Sequence, residues 1–260
     1  MNCSIIRKIN IKKGSCFLKQ DLIVIAKKLN ECRIKGKKIK YCIGKTIDTN
    51  ITRQKLYTKI KNTLKLKEQD WVKQKFIGIS SYLKTDIFKP KGPKLNEWLS
   101  NFDISLVMNQ YTKFYEKTKK DFVFHGVVMA NWYNLHPELL QNFKINKKQA
   151  VIFNTDSENG PGLHWVAVFI NKKEIEFFDS NGTNPNIYIY KFLTNLSKLL
   201  HRTVKINKIK HQTIDGICGI YTLKFVLYRL FGLKTFKQFI KDIQPDNDVN
   251  KLRKTFFLQN

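Results

Sequence analysis

The chain of 260 residues is sparing with crosslinks and breakers: five cysteines, six prolines and twelve glycines. Nowhere does it approach the roughly eighteen consecutive apolar residues of a membrane span, so no membrane insertion is expected. Met1 to Asn10 lacks the apolar block of a secretory signal. These absences point to a soluble protein in a reducing compartment. Cys3, Cys16, Cys32 and Cys42 are spaced by 13, 16 and 10 residues, which matches no CxxC knuckle. No metal site, no cofactor and no disulfide framework follow from that spacing, and four reduced, packed thiols are expected. Acidic residues are also scarce, 20 Asp and Glu against 48 Lys and Arg, for a net charge of +28.

What is present is an apolar content of 42%, enough for one sizeable core with a smaller appendage and too much for a disordered chain. The charge is uneven. Residues 1–85 hold 22 basic and 5 acidic residues, a net of +17, and residues 86–260 hold 26 and 15, a net of +11. Such a surface attracts polyanions, non-specific nucleic acid among them, through the amino-terminal arm. Only 6 of the 48 basic residues are arginine, which disfavours base-edge reading.

The clearest seam is Phe88-Lys89-Pro90-Lys91-Gly92-Pro93-Lys94, where two prolines flank a glycine. The division expected is a basic, mainly helical arm over 1–85 and a core domain over 86–260. In the arm, Gln20 to Asn30 and Arg53 to Lys75 read as helices, Leu56, Ile60 and Leu64 recurring at turn spacing. Beyond the seam, Asp103 caps a helix through Phe114. Strands are expected over Phe122–Met129, Ala150–Asn154, His164–Ile170, Glu174–Asp179 and Thr203–Lys210. Further helices are expected over Tyr188–Leu200 and Gly219–Phe231. Mixed strands with helices packed on them make an α+β fold.

Cys218 stands apart from the other cysteines, in His211-Gln212-Thr213-Ile214-Asp215-Gly216-Ile217-Cys218-Gly219, at the head of an apolar helix. There the helix dipole and a nearby imidazolium favour thiolate. His164 opens one strand and Asp179 closes the next. If Asn171-Lys172 is a two-residue hairpin turn, paired numbers sum to 343 and His164 faces Asp179, over a floor of Val166 with Phe177 and Val168 with Ile175. The carboxylate would orient the ring, the ring would draw a proton from Cys218, and Gln212 with a backbone N–H would stabilise an oxyanion. Gly216 and Gly219 would let the backbone approach a substrate. Trp165 would shield the imidazole.

The order His164-Trp165, Asp179, Gln212, Cys218-Gly219 resembles the adenain-like and ubiquitin-like-protein-processing cysteine proteases, and within them the viral polyprotein-processing members. The resemblance extends to Gly92-Pro93, Asn101-Phe102-Asp103-Ile104, Tyr111-Thr112-Lys113-Phe114, Asn154-Thr155-Asp156 and Gly162 to Phe169, and so covers about residues 92–225. It implies an adenain-type mixed-sheet core with a helical arm, His164 as base, Cys218 as nucleophile, Gln212 as oxyanion donor and Asp179 as orienter. Asn154 and Trp165 would border the substrate. It also implies cleavage of viral structural polyproteins after Gly-Gly during virion maturation, in the host cytoplasm and the virion. The alternative is a deubiquitinase or modifier isopeptidase acting on host conjugates. Ile217 departs from the polar or acidic residue common before the thiol.

Overall fold

The computed structural model describes residues 3–5, 15–34, 41, 42, 44–72, 74, 87–95, 97–118 and 121–258. Contacts divide the chain into Met1–Pro90 with Leu258–Asn260, and Lys91–Phe257.

In the first unit, helices α1 (Lys19–Ile34), α2 (Arg53–Leu64) and α3 (Glu68–Trp71) bury Leu22, Ile25, Leu29, Leu56, Ile60 and Leu64. The α2 positions recur every fourth residue, which places them on one face. Phe17 stacks on Trp71 with centroids 5.3 Å apart. α2 stops at Lys65, which takes a left-handed backbone with φ 49°. The expected helix therefore ends earlier, and its last part, at 73 and 75, lies outside the described residues. The cysteines depart from expectation too. Cys3 is bonded to Cys16 and Cys32 to Cys42, with Cα atoms 5.1 and 5.3 Å apart. Spacing along the chain concealed this, because the backbone bridge between Cys3 and Phe88, and the return of the chain past α1, bring together residues that no local motif pairs.

The second unit is built on a five-stranded mixed sheet in the order β1-β2-β3-β4-β5: β1 (Phe122–Met129), β2 (Lys148–Asn154), β3 (Trp165–Ile170), β4 (Glu174–Phe178) and β5 (Thr203–Ile206). β1 and β2 are parallel, as are β4 and β5; β2-β3-β4 are antiparallel. β3 is apolar at every position because both faces are covered. Val166, Val168 and Ile170 meet α6 (Ile187–Leu200) through Ile189, Phe192, Leu193 and Leu196. The alternate residues face α7 (Cys218–Phe231): Phe178 stacks on Phe225 at 4.8 Å, and the Arg229 guanidinium covers Phe169. Arg229 also binds the fully buried Glu176 of β4 in a fork of 2.6 and 2.7 Å, fixing the carboxyl end of α7 to the sheet.

Helix α4 (Asn101–Thr118) starts on a capping box. Ser100 Oγ accepts from the Asp103 amide and Asp103 Oδ2 accepts from the Ser100 amide. Ser100, not Asp103, is thus the cap. The short helices α5 (Trp132–Leu135), α8 (Phe236–Lys241), α9 (Asp246–Asn250) and α10 (Arg253–Phe256) complete the unit. No helix among the described residues is long and apolar enough to cross a membrane.

Candidate active site

The β3-β4 hairpin turns at Lys172-Lys173, one residue later than expected, because Asn171 Oδ1 accepts from the Lys173 and Glu174 amides and Asn171 N donates to Glu174 O. Paired numbers therefore sum to 345: Val168 faces Phe177 and Ile170 faces Ile175. A shift of two leaves each side chain on its face, whereas a shift of one would have inverted them all. Asp179 becomes a diagonal neighbour of His164, about 7 to 8 Å away between backbones, within reach of two polar side chains. His164 Nε2 lies 2.7 Å from Asp179 Oδ1.

Asp179, 2% exposed, is held from several sides. Thr183 Oγ1 donates to Oδ2, the Asn181 amide donates to Oδ1 at 2.7 Å, and Asn207 Nδ2 donates to its carbonyl at 2.8 Å. Burial opposes its charge, yet the bonds from His164, Thr183 and Asn181 outweigh that and hold the carboxyl below its usual range. For His164 burial likewise works against the charged ring. Hydrogen bonds to Asp179 and Cys218, together with the charges of both, outweigh it and raise the ring to about 9. With Nε2 on Asp179, Nδ1 is the nitrogen left for the Cys218 sulfur.

Cys218 is the first residue of α7. Ile217 precedes it without a side-chain cap; its carbonyl accepts from the Ile220 and Tyr221 amides, and the Cys218 and Gly219 amides at the very start of the helix are free of intrahelical acceptors and available to whatever approaches the thiol. Thr222 Oγ1 lies 2.8 Å from Cys218 O and 3.2 Å from Trp165 O, tying this end of α7 to the head of β3. Gly219 is also constrained by packing: a Cβ there would stand 3.0 Å from Leu99 Cβ. Leu99 O in turn accepts from Trp165 Nε1 at 2.9 Å. Cys218 is only 3% exposed.

Gln212 is oriented by Ser180. Ser180 O accepts from the His211 and Gln212 amides, and Ser180 Oγ donates to Gln212 Oε1 at 2.8 Å. The amide's nitrogen side is thereby fixed; one Nε2 hydrogen goes to Ile214 O at 2.8 Å and the second remains. Gly182, at φ 70°, permits this docking, since a Cβ would meet Ile209 C at 2.7 Å. Asn154 and Trp165 both line a cavity of about 520 Å³, whose other walls include Trp98, Leu99, Val127, Met129 and Trp132.

Two residues of the carboxyl-terminal helices went unnoticed in the sequence. Asp246 Oδ2 accepts from the Thr213 and Ile214 amides at 2.7 and 2.8 Å, and Oδ1 accepts from Tyr221 Oη at 2.7 Å. Arg253 Nη2 donates to Gly216 O at 3.2 Å. Both act on backbone groups, and no fixed spacing announces them. Among the described residues no three His, Cys, Asp or Glu side chains gather as metal ligands. The arrangement is a carboxylate bonded to an imidazole whose raised value owes part to a neighbouring thiol, beside amide donors, which is the equipment for acyl transfer.

The family model of the Ulp1 protease family, C-terminal catalytic domain, matches residues 99–260. A protein of Acanthamoeba polyphaga mimivirus named as a thiol protease is 32% identical over 206 residues, 71% of this chain and 66% of that protein. A cysteine protease of African swine fever virus is 30% identical over 213 residues, covering 72% of this chain and 77% of the relative. Its counterpart in another isolate, 29% identical, carries the name SUMO-1 cysteine protease. The crystal structure of the African swine fever virus protease superposes over the whole chain and 96% of its own, with a TM-score of 0.63 at 22% identity, a likeness of fold.

Proposed function

Since the chain belongs to the Ulp1 protease family, a family of cysteine peptidases, we propose that it is a viral endopeptidase that cleaves structural polyproteins after Gly-Gly during virion maturation. The observation that carries this reading is the 2.7 Å bond from His164 Nε2 to the buried Asp179, in a ring that Asp179 and Cys218 together raise to about 9. Cys218 thiolate attacks the glycine carbonyl carbon, and the oxygen takes the electron pair. Gln212 Nε2 and the Cys218 amide stabilise that oxyanion. When the intermediate collapses, the C–N bond breaks and His164 gives its proton to the departing amine. A water then loses a proton to His164 and attacks the thioester, releasing the carboxylate and returning the thiol.

The Gly-Gly preference is supported by access. A nucleophile residue only 3% exposed, followed by a glycine packed on Leu99, suits a substrate backbone without Cβ atoms. The cavity bordered by Asn154, Trp165, Trp98 and Trp132 would hold the residues upstream. Lys55, Lys59 and Lys61 stand exposed on α2, and the arm's charge of +17 supports non-specific nucleic-acid contact there. Host cytoplasm and virion are the places this activity requires; disulfides Cys3–Cys16 and Cys32–Cys42 favour the virion as the place where the paired form persists.

A Gly-Gly-Xaa peptide should be cut by the native chain and left intact by Cys218→Ala and His164→Ala. Cleavage surviving in either variant removes the assignment. A second reading, removal of a ubiquitin-like modifier from host conjugates, is favoured by the SUMO-1 protease name of the 29% identical relatives. Modifier-conjugate probes separate the two, because only an isopeptidase reacts rapidly with them.

A further inference from the structure

Arg253 opens α10 and is 4% exposed, so its guanidinium is inside the protein. Every group it bonds is neutral: Nε donates to Asn250 Oδ1 at 2.7 Å, Nη2 to Glu97 O at 2.6 Å and to Gly216 O at 3.2 Å, and Nη1 to Lys94 O at 3.4 Å. Among the described residues no carboxylate stands within ion-pair distance. A buried cation without an adjacent anion is costly, and arginine cannot escape by shedding its proton. The structure retains one here nonetheless, bonded to Gly216, two residues before the candidate nucleophile.

Its position supplies the reason. Gly216 has φ 82°, and the Gly216 carbonyl orients the peptide that leads into Ile217 and Cys218. A donor fixed on that carbonyl fixes where α7 begins. The same guanidinium is charged at every working pH and bonds the loop that leads into Cys218, whereas His164 precedes β3. We propose that Arg253 is a positioning residue of the nucleophile, holding the Gly216–Cys218 turn by its fork and balancing the Cys218 thiolate by its charge. The electrostatic surroundings agree. Burial presses the guanidinium below its ordinary value, while Asp103, Glu97 and Cys218 act in the opposite sense. The charged groups that act on one another here are His164 just before β3, Asp179, Arg253 of α10, Asp103 of α4 and Glu97. The missing polar residue at 217 is explained as well, because the charge arrives from the carboxyl-terminal helix instead.

This inference rests on Cys218 being the nucleophile, and one assay keeps the two apart. The rate of Cys218 alkylation by iodoacetamide, followed by mass spectrometry across a pH series, reports the thiolate directly and needs neither Gln212 nor a peptide. If wild-type Cys218 is inert at every pH, the protease reading fails. If it reacts, Arg253→Gln should slow alkylation at neutral pH by about tenfold and move the profile to higher pH, while Arg253→Lys should keep the wild-type profile. Arg253→Lys loses the fork, so its kcat on a Gly-Gly peptide should fall at least about fivefold with KM little changed. Superimposable alkylation profiles for wild type and Arg253→Gln would overturn the charge, and a profile moved equally by Gln and Lys would do the same. Should Arg253→Gln fail to fold, Arg253→Lys decides alone. A reduced kcat on an unmoved profile supports the proposal, and an unchanged kcat or a moved profile overturns it.

Discussion

Replacing Asp179 by asparagine removes a charge while keeping an oxygen that can still accept from His164 Nε2, and the loss should depend on pH. His164 is held at about 9 against an ordinary 6.5, and Asp179 supplies both a hydrogen bond and a charge toward that rise. The difference corresponds to about 3 kcal/mol, shared with Cys218. At about pH 8 a ring with the raised value is about nine-tenths protonated, and a ring at the ordinary value about 3% protonated. The imidazolium available to protonate the leaving amine thus falls by at most about 30-fold at pH 8, Cys218 keeping its own share of the rise, and by less than about twofold at pH 6. The assay is kcat/KM on a Gly-Gly peptide for both proteins, from about pH 5.5 to 9.5. Equal losses at pH 6 and pH 8 would refute the reasoning, because orientation rather than charge would then be what Asp179 provides. Stability carries the same signature. The raised His164 contributes fully below about 6.5, and its contribution is lost as pH rises through about 9. The lowered Asp179 contributes above the ordinary carboxylate range and loses its share as pH falls through its depressed value.

Arg229→Ala should destabilise the second unit by about 3 to 5 kcal/mol, because Glu176 is left fully buried without its partner; denaturant midpoints at unchanged slope would measure it. Gln212→Ala should lower kcat by about 10² to 10³ with KM nearly unchanged, and a loss mainly in KM would show the amide binding the ground state instead. Lys55→Glu with Lys59→Glu should weaken DNA binding and flatten its salt dependence while leaving peptide cleavage intact, read by fluorescence anisotropy at two salt concentrations.

The mixed sheet and its flanking helices were legible because apolar alternation and turn-spaced apolar residues are local. His164, Asp179, Gln212 and Cys218 were conspicuous for their chemistry and order. The juxtaposition of His164 and Asp179 needed only a hairpin, and an error of one residue in its turn moved the register by two, which preserves the face. β5 ends at Ile206 rather than Lys210: the Asn207 amide makes the last bond to β4, on Phe177 O, and the chain then turns at Asn207. Its side chain bonds Asp179 O and Ile209 O and accepts from the Ile209 amide, making a turn that supports the carboxylate. Residues that act through distant backbone were not legible. Asp246 reaches across 33 positions to Thr213, and Arg253 across 37 to Gly216. The four arm cysteines were hidden for the same reason, as their pairing depends on how α1 and its neighbours fold back.

The central claim is that one sulfur, activated by His164 and served by Gln212, accepts the acyl group of a diglycine substrate. Its most direct test is mass spectrometry of the intact protein and its peptides after reaction with a Gly-Gly vinyl electrophile. A single adduct on Cys218, formed by wild type, slowed in His164→Ala and absent from Cys218→Ala, is the predicted result. An adduct on another residue, or none while the fold is intact, would contradict it.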